Sequence, residues 1–348
     1  MPESRYNGRR AFTLENSDLH ATVLPGGGHI AGILDKRSGV NPLWTPPWNS
    51  LDPVTFDAQK NPEFGTGCDA RLLAGIIGQN LCLDIFGGPS PEEEAAGVTP
   101  HGEGSVVAFD VTEAGSELIM KAQMPLAEIR FERRIELRGS AVRIRESAES
   151  LAAFDRPIGW TQHATLGPPF LERGKTQFRA SAATSKVFES EFGTDAYLKP
   201  GAEFDWPLAP GKDGTYKDLR VMNIAPVSSG YTAHAMDPAS EHAFFTAWSP
   251  TAKLAFGYIW KRADFPWLGI WEENHSRTGP PWNGKTLTRG MEFGASPFPE
   301  SRREAVGRGS LFGIPTYRWL PARTKVEVEY WAILRHADAP VETLDWPA

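Results

Sequence analysis

The chain has 348 residues, of which 41% are hydrophobic, and its formal net charge is −7. This apolar fraction, together with 12 tryptophans, is typical of a folded globular protein with a large core and not of a disordered chain. Because no block of basic residues accompanies the negative charge, a nucleic acid or an anionic membrane is not expected as a partner.

The first residues, MPESRYNGRRAF, carry charges and lack an apolar stretch, which predicts no secretory signal. No run of about 18 apolar residues occurs anywhere, which predicts no membrane span. The two cysteines, Cys68 and Cys82, are expected to be reduced thiols in a cytoplasmic protein and not a disulfide framework. The oligomeric state stays open.

The 34 glycines and 29 prolines are scattered along the chain, a pattern typical of many short strands joined by turns. Residues 128–150 show the clearest alternation of apolar and charged residues, interrupted by Arg138-Gly139-Ser140. This period of two predicts a β-hairpin with one apolar face. Similar patterns predict strands at 19–25, 104–111, 117–124, 241–248, 253–260 and 324–334.

Helical patterns are few. Residues 91–97 and 301–309 each predict a short helix, and the Gly-, Pro-, Lys- and Asp-rich segment 196–218 predicts a long surface loop. Strands are expected from one end of the chain to the other, with no linker or internal repeat between them. The predicted fold class is therefore all-β: one large antiparallel β-sandwich domain spanning residues 1–348.

Several motifs of cofactor and metal chemistry fail in their context. The GGGHIA segment at 26–31 has dinucleotide-binding spacing, but it lies between two strand patterns and predicts a hairpin turn instead. His101-Gly102-Glu103 has no C-x-x-C partner, and H-E-x-x-H, G-x-S-x-G and P-loop motifs do not occur. No metal ion, nucleotide or organic cofactor is predicted.

Two of the eight histidines stand out. His101, in TPHGEG, and His163, in WTQHATLGPP, each lie where a strand pattern meets a tight turn, and functional side chains favour such positions on a rigid scaffold. The Gly-Pro-Pro after His163 is expected to end its strand at the rim of a sheet. Both residues could equally be hydrogen-bonded core histidines. The others have ordinary interpretations: His20, His29, His242 and His336 in or beside strands, His234 in a loop of small residues, and His275 on an exposed polar segment.

The segment GMEFGASPFPE at 290–300 places Glu292 between Met291 and Phe293, with glycines on both sides. A carboxyl group enclosed by apolar neighbours suits general acid or base catalysis near neutral pH. The flanking glycines would permit the close approach of a ligand. The alternative is an ordinary strand glutamate that faces water.

Residues 263–284 combine tryptophans with carboxylates, a composition that can hold a sugar through ring stacking and hydrogen bonds to its hydroxyl groups. Trp271 and Glu272 are the strongest candidates for binding, and Asp264 is a further one. Trp282, between Pro-Pro and Asn-Gly, is expected to be structural. The segment also contains Glu273 and Trp267. The alternative to a sugar site is that its tryptophans belong to the core.

Taken in order, these segments resemble the aldose 1-epimerase (galactose mutarotase-like) superfamily. LHATVLPGGGHIAGILDKRSGVNPLW at 19–44 is similar to its first strands, TPHGEGSVVAFDV to its first histidine block, and residues 128–150 to its R-x-I-x-L region. WTQHATLG resembles the second histidine block, and GMEFGASPF resembles the late strand that carries the glutamate. The resemblance extends over nearly the whole chain.

The resemblance implies roles for three of these residues. Glu292 would remove the proton from the anomeric hydroxyl, His163 would give a proton to the ring oxygen, and His101 would bind the sugar near that oxygen. The ring would open to an aldehyde, the C1–C2 bond would rotate, and closure would yield the other anomer without a cofactor.

The chain departs from the family pattern at the sugar-binding G-R-x-x-N segment. Its counterpart GIIGQN has Ile76 in place of the arginine, while Gln79 and Asn80 remain candidates for binding. The aspartate that many members carry is assigned to Asp264. These departures leave the sugar, and its phosphorylation, open.

Three functions are therefore considered: an anomer-interconverting isomerase, a sugar-binding protein without catalysis on the same scaffold, and a glycoside-cleaving enzyme. The chain has no room for the large helical domain that lyases with related sandwiches usually carry, which disfavours the third.

Overall fold

The structure is a computed structural model that describes residues 4–347. Its first twelve strands are β1 (Ser4–Tyr6), β2 (Arg9–Glu15), β3 (Leu19–Val23), β4 (Ile30–Asp35), β5 (Gln79–Asp84), β6 (Asp110–Ala114), β7 (Glu117–Met124), β8 (Ile129–Arg138), β9 (Ala141–Ser150), β10 (Arg156–Leu166), β11 (Gln177–Ala180) and β12 (Ala182–Val187). The remaining strands are β13 (Glu203–Asp205), β14 (Leu208–Pro210), β15 (Tyr216–Asp218), β16 (Ser228–Met236), β17 (His242–Ser249), β18 (Leu254–Lys261), β19 (Trp267–Asn274), β20 (Leu287–Gly294), β21 (Ser310–Leu311), β22 (Ile314–Pro315), β23 (Arg318–Leu320) and β24 (Lys325–His336). The helices are α1 (Ala70–Gly75), α2 (Pro91–Ala95) and α3 (Arg302–Arg308), with 3-10 turns at Pro62–Phe64 and Glu103–Ser105.

Two antiparallel sheets carry the architecture. The twelve-stranded sheet has the order β1-β2-β3-β4-β5-β10-β20-β19-β16-β12-β13, with β23 paired to the start of β10. The eight-stranded sheet has the order β11-β17-β18-β24-β9-β8-β7-β6. The fold is thus an all-β sandwich with few helices, as predicted from the turn spacing and the strand alternation.

Most of the predicted elements are confirmed. The hairpin at 128–150 is β8 and β9, joined where Arg138 pairs with Ala141. The GGGHIA segment is the turn between β3 and β4, and Gly27 and Gly28 adopt φ of 75° and 60°, the left-handed region that favours glycine. Both predicted helices are present as α2 and α3, each opened by a serine capping box.

Two predicted elements are wrong. Residues 104–109 were expected to begin a strand, but the chain turns in a 3-10 helix at 103–105, and β6 begins only at Asp110. Glycines at 102 and 104 let this segment lie directly on β5, because a Cβ at Gly102 would be 2.1 Å from the Leu83 carbonyl oxygen. Residues 196–218 are not one long loop. They form β13, β14 and β15 around a small apolar cluster that includes Leu198 and Phe204.

The main core lies between the two sheets and draws apolar residues from both. On β20, the Phe293 ring stacks on Trp260 with 4.4 Å between centroids and lies 5.3 Å from Tyr258, both in the eight-stranded sheet. Because side chains alternate along a strand, Glu292 points away from this core, to the outer face of the twelve-stranded sheet.

A polar network is buried within the same core. The Arg133 guanidinium donates to Glu146 at 2.7 Å, and neither side chain is exposed. Glu146 also accepts hydrogen bonds from Gln162 (2.6 Å) and Tyr330 (2.7 Å), which links both sheets. A buried charge pair of this kind is tolerated because its remaining hydrogen-bonding groups are satisfied.

Candidate functional site

Three of the candidate residues share one row across the centre of the twelve-stranded sheet. His163 on β10 pairs with Asn80 on β5 at one side and with Glu292 on β20 at the other. Glu292 pairs in turn with Gly269 on β19. Directly opposed residues of antiparallel strands have Cβ atoms about 4.5–5.5 Å apart, so the sheet register alone brings these side chains together.

The strand of His163 ends at Leu166, immediately before Gly167-Pro168-Pro169, as predicted. It lies, however, between β5 and β20 and not at an edge of the sheet. His163 is therefore held by neighbours on both sides, and it faces a cleft from the middle of the sheet, near the end of its own strand.

The catalytic candidates His163 and Glu292 are in direct contact. The Nε2 atom of His163 lies 2.9 Å from Oε1 of Glu292, and both side chains are buried, with exposures of 6% and 2%. The other ring nitrogen, Nδ1, is 2.8 Å from the Thr165 hydroxyl. The Trp271 indole packs edge-on against the imidazole at 5.7 Å. These contacts fix the ring so that Nε2 faces the carboxylate.

Two glycines near Glu292 make room for side chains at the site. A Cβ at Gly290 would lie 2.4 Å from Oε1 of Glu292, and a Cβ at Gly269 would lie 2.0 Å from the Tyr231 hydroxyl oxygen. Neither glycine requires a left-handed backbone. Gly290, one of the two glycines that flank Glu292 in the sequence, therefore has a steric role: it leaves room for the carboxylate over its own strand.

His101 approaches from a turn outside the sheet. Its φ is 66°, a left-handed conformation in which histidine is enriched among non-glycine residues. Its ring centroid lies 5.1 Å from that of His163. Nδ1 of His101 faces the amide Nδ2 of Asn80 at 3.1 Å, which leaves Nε2 to carry the hydrogen.

The electrostatic environment keeps His101 uncharged. Burial holds the pKa of His101 well below its usual value, and the nearby His163 and Arg277 lower this pKa further. A neutral imidazole that carries its hydrogen on Nε2 is a hydrogen-bond donor and a poor source of protons at neutral pH. His101 is therefore suited to binding.

The side chains of His101, His163 and Glu292 open into a cleft of about 240 Å³ on the outer face of the twelve-stranded sheet. Its walls come from α1, from the turn that carries His101, and from the segment between β19 and β20. The walls are largely apolar and aromatic: Leu72, Leu73, Ile76, Phe86, Pro100, Phe192, Tyr231, Trp271, Trp282 and Pro299, together with Asp69 and Arg277.

Five of the eight predicted site residues belong to this site. His101, His163, Glu292 and Trp271 line the cleft, and Asn80 lies behind His101 as its hydrogen-bond partner. Trp282, expected to be structural, stacks on Trp44 with 6.3 Å between centroids and also lines the cleft.

Three predicted site residues lie elsewhere. The Gln79 side chain points into the core and bonds with Gln162 and Tyr330. Glu272 follows Trp271 and points to the opposite face of β19. Its carboxylate accepts a hydrogen bond from the Tyr197 hydroxyl at 2.5 Å and forms an ion pair with Arg289 at 3.5 Å. Asp264 lies in a surface groove near Lys261 and pairs with Arg318 at 3.6 Å.

The reason is strand alternation for the first two residues. Adjacent residues of a strand face opposite sides of the sheet, so Asn80 and Gln79 cannot both reach the cleft, and neither can Trp271 and Glu272. The sequence could have excluded one member of each pair, but it could not tell which. Asp264 is separated from the cleft because it precedes β19, whose later residues Trp271 and Glu273 lie near the site.

The expectations for two other histidines are also corrected. His234 is buried inside β16 and hydrogen-bonds with Thr232 and Ser185, both at 2.8 Å. Its small neighbours had suggested a loop, but they lie on a fully buried strand. His275, expected on an exposed segment, is half-buried, and its Nδ1 donates a hydrogen bond to the carbonyl oxygen of Gly284 at 2.9 Å.

Asp69, Tyr231 and Arg277 line the cleft and were not identified from the sequence. Arg277 offered a signal, since it is the one cation in the tryptophan- and acid-rich segment 263–284. Tyr231 and Asp69 offered none, because a tyrosine in a strand and an aspartate before a short helix are common.

Within residues 4–347 no group of three or more His, Cys, Asp or Glu side chains is arranged to hold a metal ion. Nor is any helix in that range long and apolar enough to cross a membrane.

No family model and no curated protein matches the sequence of this chain. Solved structures do match its fold. A candidate aldose 1-epimerase from Klebsiella pneumoniae superimposes with a TM-score of 0.64 and 13% identity, over 95% of this chain and 80% of that one. The Slr1438 protein of Synechocystis superimposes with a TM-score of 0.61 and 14% identity, over 97% of this chain and 98% of that one. A galactose mutarotase-like protein from Clostridium acetobutylicum superimposes with a TM-score of 0.60 and 13% identity, over 96% of this chain and 98% of that one. The chain therefore has the galactose mutarotase-like fold, which is the fold that the resemblance in its sequence implied.

Proposed function

We propose that this protein is an aldose 1-epimerase-like isomerase, which interconverts the anomers of a monosaccharide by acid–base ring opening. The observation that carries the proposal is the contact of 2.9 Å between His163 Nε2 and Glu292 Oε1 at the floor of the cleft. A base and an acid of this kind, side by side, are what the two proton transfers of ring opening require.

In the proposed reaction the sugar enters between the two groups and replaces their hydrogen bond. Glu292 accepts the proton of the C1 hydroxyl while His163 donates its Nε2 proton to the ring oxygen, and the bond between C1 and that oxygen breaks. The product is an open-chain aldehyde. After rotation about C1–C2, the same two protons return and the other anomer forms.

The surrounding residues fit supporting roles. Thr165 holds Nδ1 of His163, and the neutral His101, backed by Asn80, can donate a hydrogen bond to an oxygen near C1. Trp271 offers aromatic surface to the sugar ring. The cleft volume of about 240 Å³ is below the range of about 300–1,000 Å³ for drug-sized ligands, which favours a single sugar ring over an oligosaccharide. The reaction moves only protons and requires no cofactor.

The experiment is a mutarotation assay on a panel of aldoses. Polarimetry and NMR exchange spectroscopy measure the rate at which the two anomers interconvert. The Glu292→Gln variant should lower kcat by about 100-fold or more, because general base catalysis contributes about 10²–10⁴-fold. Thermal unfolding and sugar binding, measured on the same variant, verify that it is folded.

A second function is favoured by one feature, the apolar Ile76 in the cleft wall where the family resemblance implies an arginine. A sugar-binding protein without catalysis would bind an aldose, but anomers would exchange only at the spontaneous rate. Glu292→Gln would then leave this rate unchanged. That result would refute the isomerase proposal. Release of reducing ends from a polysaccharide panel would instead favour a glycoside-cleaving enzyme.

A further inference from the structure

Two opposite charges, Asp69 and Arg277, line the cleft beside the catalytic pair and its aromatic neighbours. Asp69 immediately precedes α1, and Arg277 lies in the segment between β19 and β20, so the two belong to different walls. Within residues 4–347 no ion pair of 4.0 Å or less joins them, yet the carboxylate of Asp69 still acts on the pKa of Arg277. A gap therefore separates two complementary groups that face the same space.

Arg277 is held rigidly in this position. Its Nε lies 3.4 Å from the carboxylate of Glu273, which also accepts from the backbone N–H groups of Ser276 (2.7 Å) and Arg277 (3.0 Å). The guanidinium lies over the Trp282 ring, 4.5 Å from its centroid. It also lies 5.4 Å from the centroid of the Trp271 ring. With Nε and the ring contacts occupied, the terminal Nη groups remain for a ligand, and 37% of the side chain is accessible.

Asp69 is equally available. Its carboxylate makes no hydrogen bond as a helix cap, and no hydrogen bond to it occurs in the described part of the chain. On the same wall Ile76 supplies only apolar surface. The guanidinium that the sequence lacks at position 76 thus enters the cleft from a different element, the segment after β19.

The charges of the cleft disfavour an anionic ligand. Asp69 and Glu292 are acidic, Arg277 is the one arginine among the lining residues, no lysine lines the cleft in the described chain, and His101 is neutral. Arg277 already interacts with the buried carboxylate of Glu273. A phosphate or carboxylate group bound by Arg277 would also face the carboxylate of Asp69, and like charges repel.

We propose that Arg277 and Asp69 form the specificity site of this cleft and bind neighbouring hydroxyl groups of an uncharged sugar, Arg277 as donor and Asp69 as acceptor. A hydroxyl group can accept from the guanidinium and donate to the carboxylate, so a pair of adjacent hydroxyls fills the gap between them. This inference rests on the proposed function for the position of C1, which the catalytic pair would hold.

The experiment measures both binding and turnover, so that the two proposals can fail separately. Binding is followed by saturation-transfer NMR with glucose, galactose, xylose, glucose 6-phosphate and glucuronate, and turnover is followed by anomer exchange. The wild-type protein is expected to bind the uncharged sugars at least tenfold more tightly than the two anions. Binding with this preference but without turnover would support the site and refute the isomerase. Preference for either anion, or no binding of any sugar at millimolar concentration, would overturn the site.

The variants are Arg277→Gln and Asp69→Asn, with Arg303→Gln on α3 as the control, because Arg303 is exposed and its guanidinium pairs with Glu92 on α2, away from the cleft residues. Loss of a hydrogen bond to a charged group should raise KM by about tenfold or more and change kcat little. Monodeoxy sugars locate the contact: for the sugar that lacks the bound hydroxyl, the variant and the wild type should become equal. If every deoxy sugar suffers the same loss in the variants, the residues act on folding or shape, and the assignment is refuted.

Discussion

Replacement of Gly290 by alanine tests whether the position of the Glu292 carboxylate controls activity. The new methyl group would lie 2.4 Å from Oε1 and 3.2 Å from the carboxylate carbon of Glu292. Contact distances between non-bonded heavy atoms are about 3.5 Å, so the carboxylate must move by about 1 Å. That shift breaks the contact of 2.9 Å with His163.

The expected cost is a fall in kcat of about 100-fold, because a displacement of about 1 Å from the reactive geometry can cost that much. Stability should change little, since the atom displaced is the end of a flexible side chain and the backbone of Gly290 is not left-handed. The substitution therefore separates catalysis from folding better than removal of the carboxylate does.

The assay is anomer exchange by NMR, with thermal unfolding on the same samples. Gly230→Ala is the matched control, because Gly230 lies on β16 of the same sheet and its added methyl would meet only an ordinary contact of 3.4 Å. A folded Gly290→Ala protein that keeps wild-type kcat would refute the role of Glu292 as the base.

Three further predictions concern the support of the site and the core. Thr165→Val removes the partner of His163 Nδ1, and we expect kcat to fall about tenfold, whereas Thr165→Ser keeps the hydroxyl group and should retain most of the wild-type kcat. Glu146→Gln leaves Arg133 charged without its counter-ion in the core, and urea unfolding should show a loss of about 3–5 kcal/mol, whereas an unchanged free energy of unfolding would contradict the buried ion pair. Burial lowers the pKa of His234 to about 3, so below about pH 6.5 the unfolded chain takes up a proton that the folded chain does not, and stability falls by about 1.4 kcal/mol per pH unit. Urea unfolding between about pH 6 and pH 4 gives the dependence of the free energy of unfolding on pH, and its slope should be smaller by this amount in His234→Gln than in the wild type. An equal slope in the two proteins would contradict the buried, neutral state of His234.

Local patterns were sufficient for the elements whose partners are close in sequence. The hairpin of β8 and β9 was predictable because each strand alternates with period two and the turn residues lie between them. The capped helices α2 and α3 were predictable for a similar reason. Residues 104–109 were not, since their apolar composition suits a strand and only the glycine contacts with β5 bend them into a turn.

The sequence by itself determined that the chain folds into antiparallel strands and that His101, His163 and Glu292 are the residues to compare. The tertiary structure decided which side of each strand faces the cleft, and so it separated Asn80 from Gln79 and Trp271 from Glu272. It also brought Asp69 and Arg277 to the wall of that cleft, although 208 positions separate them. The physical reason is that alternation along a strand is a local property, whereas sheet order and register depend on contacts between distant segments.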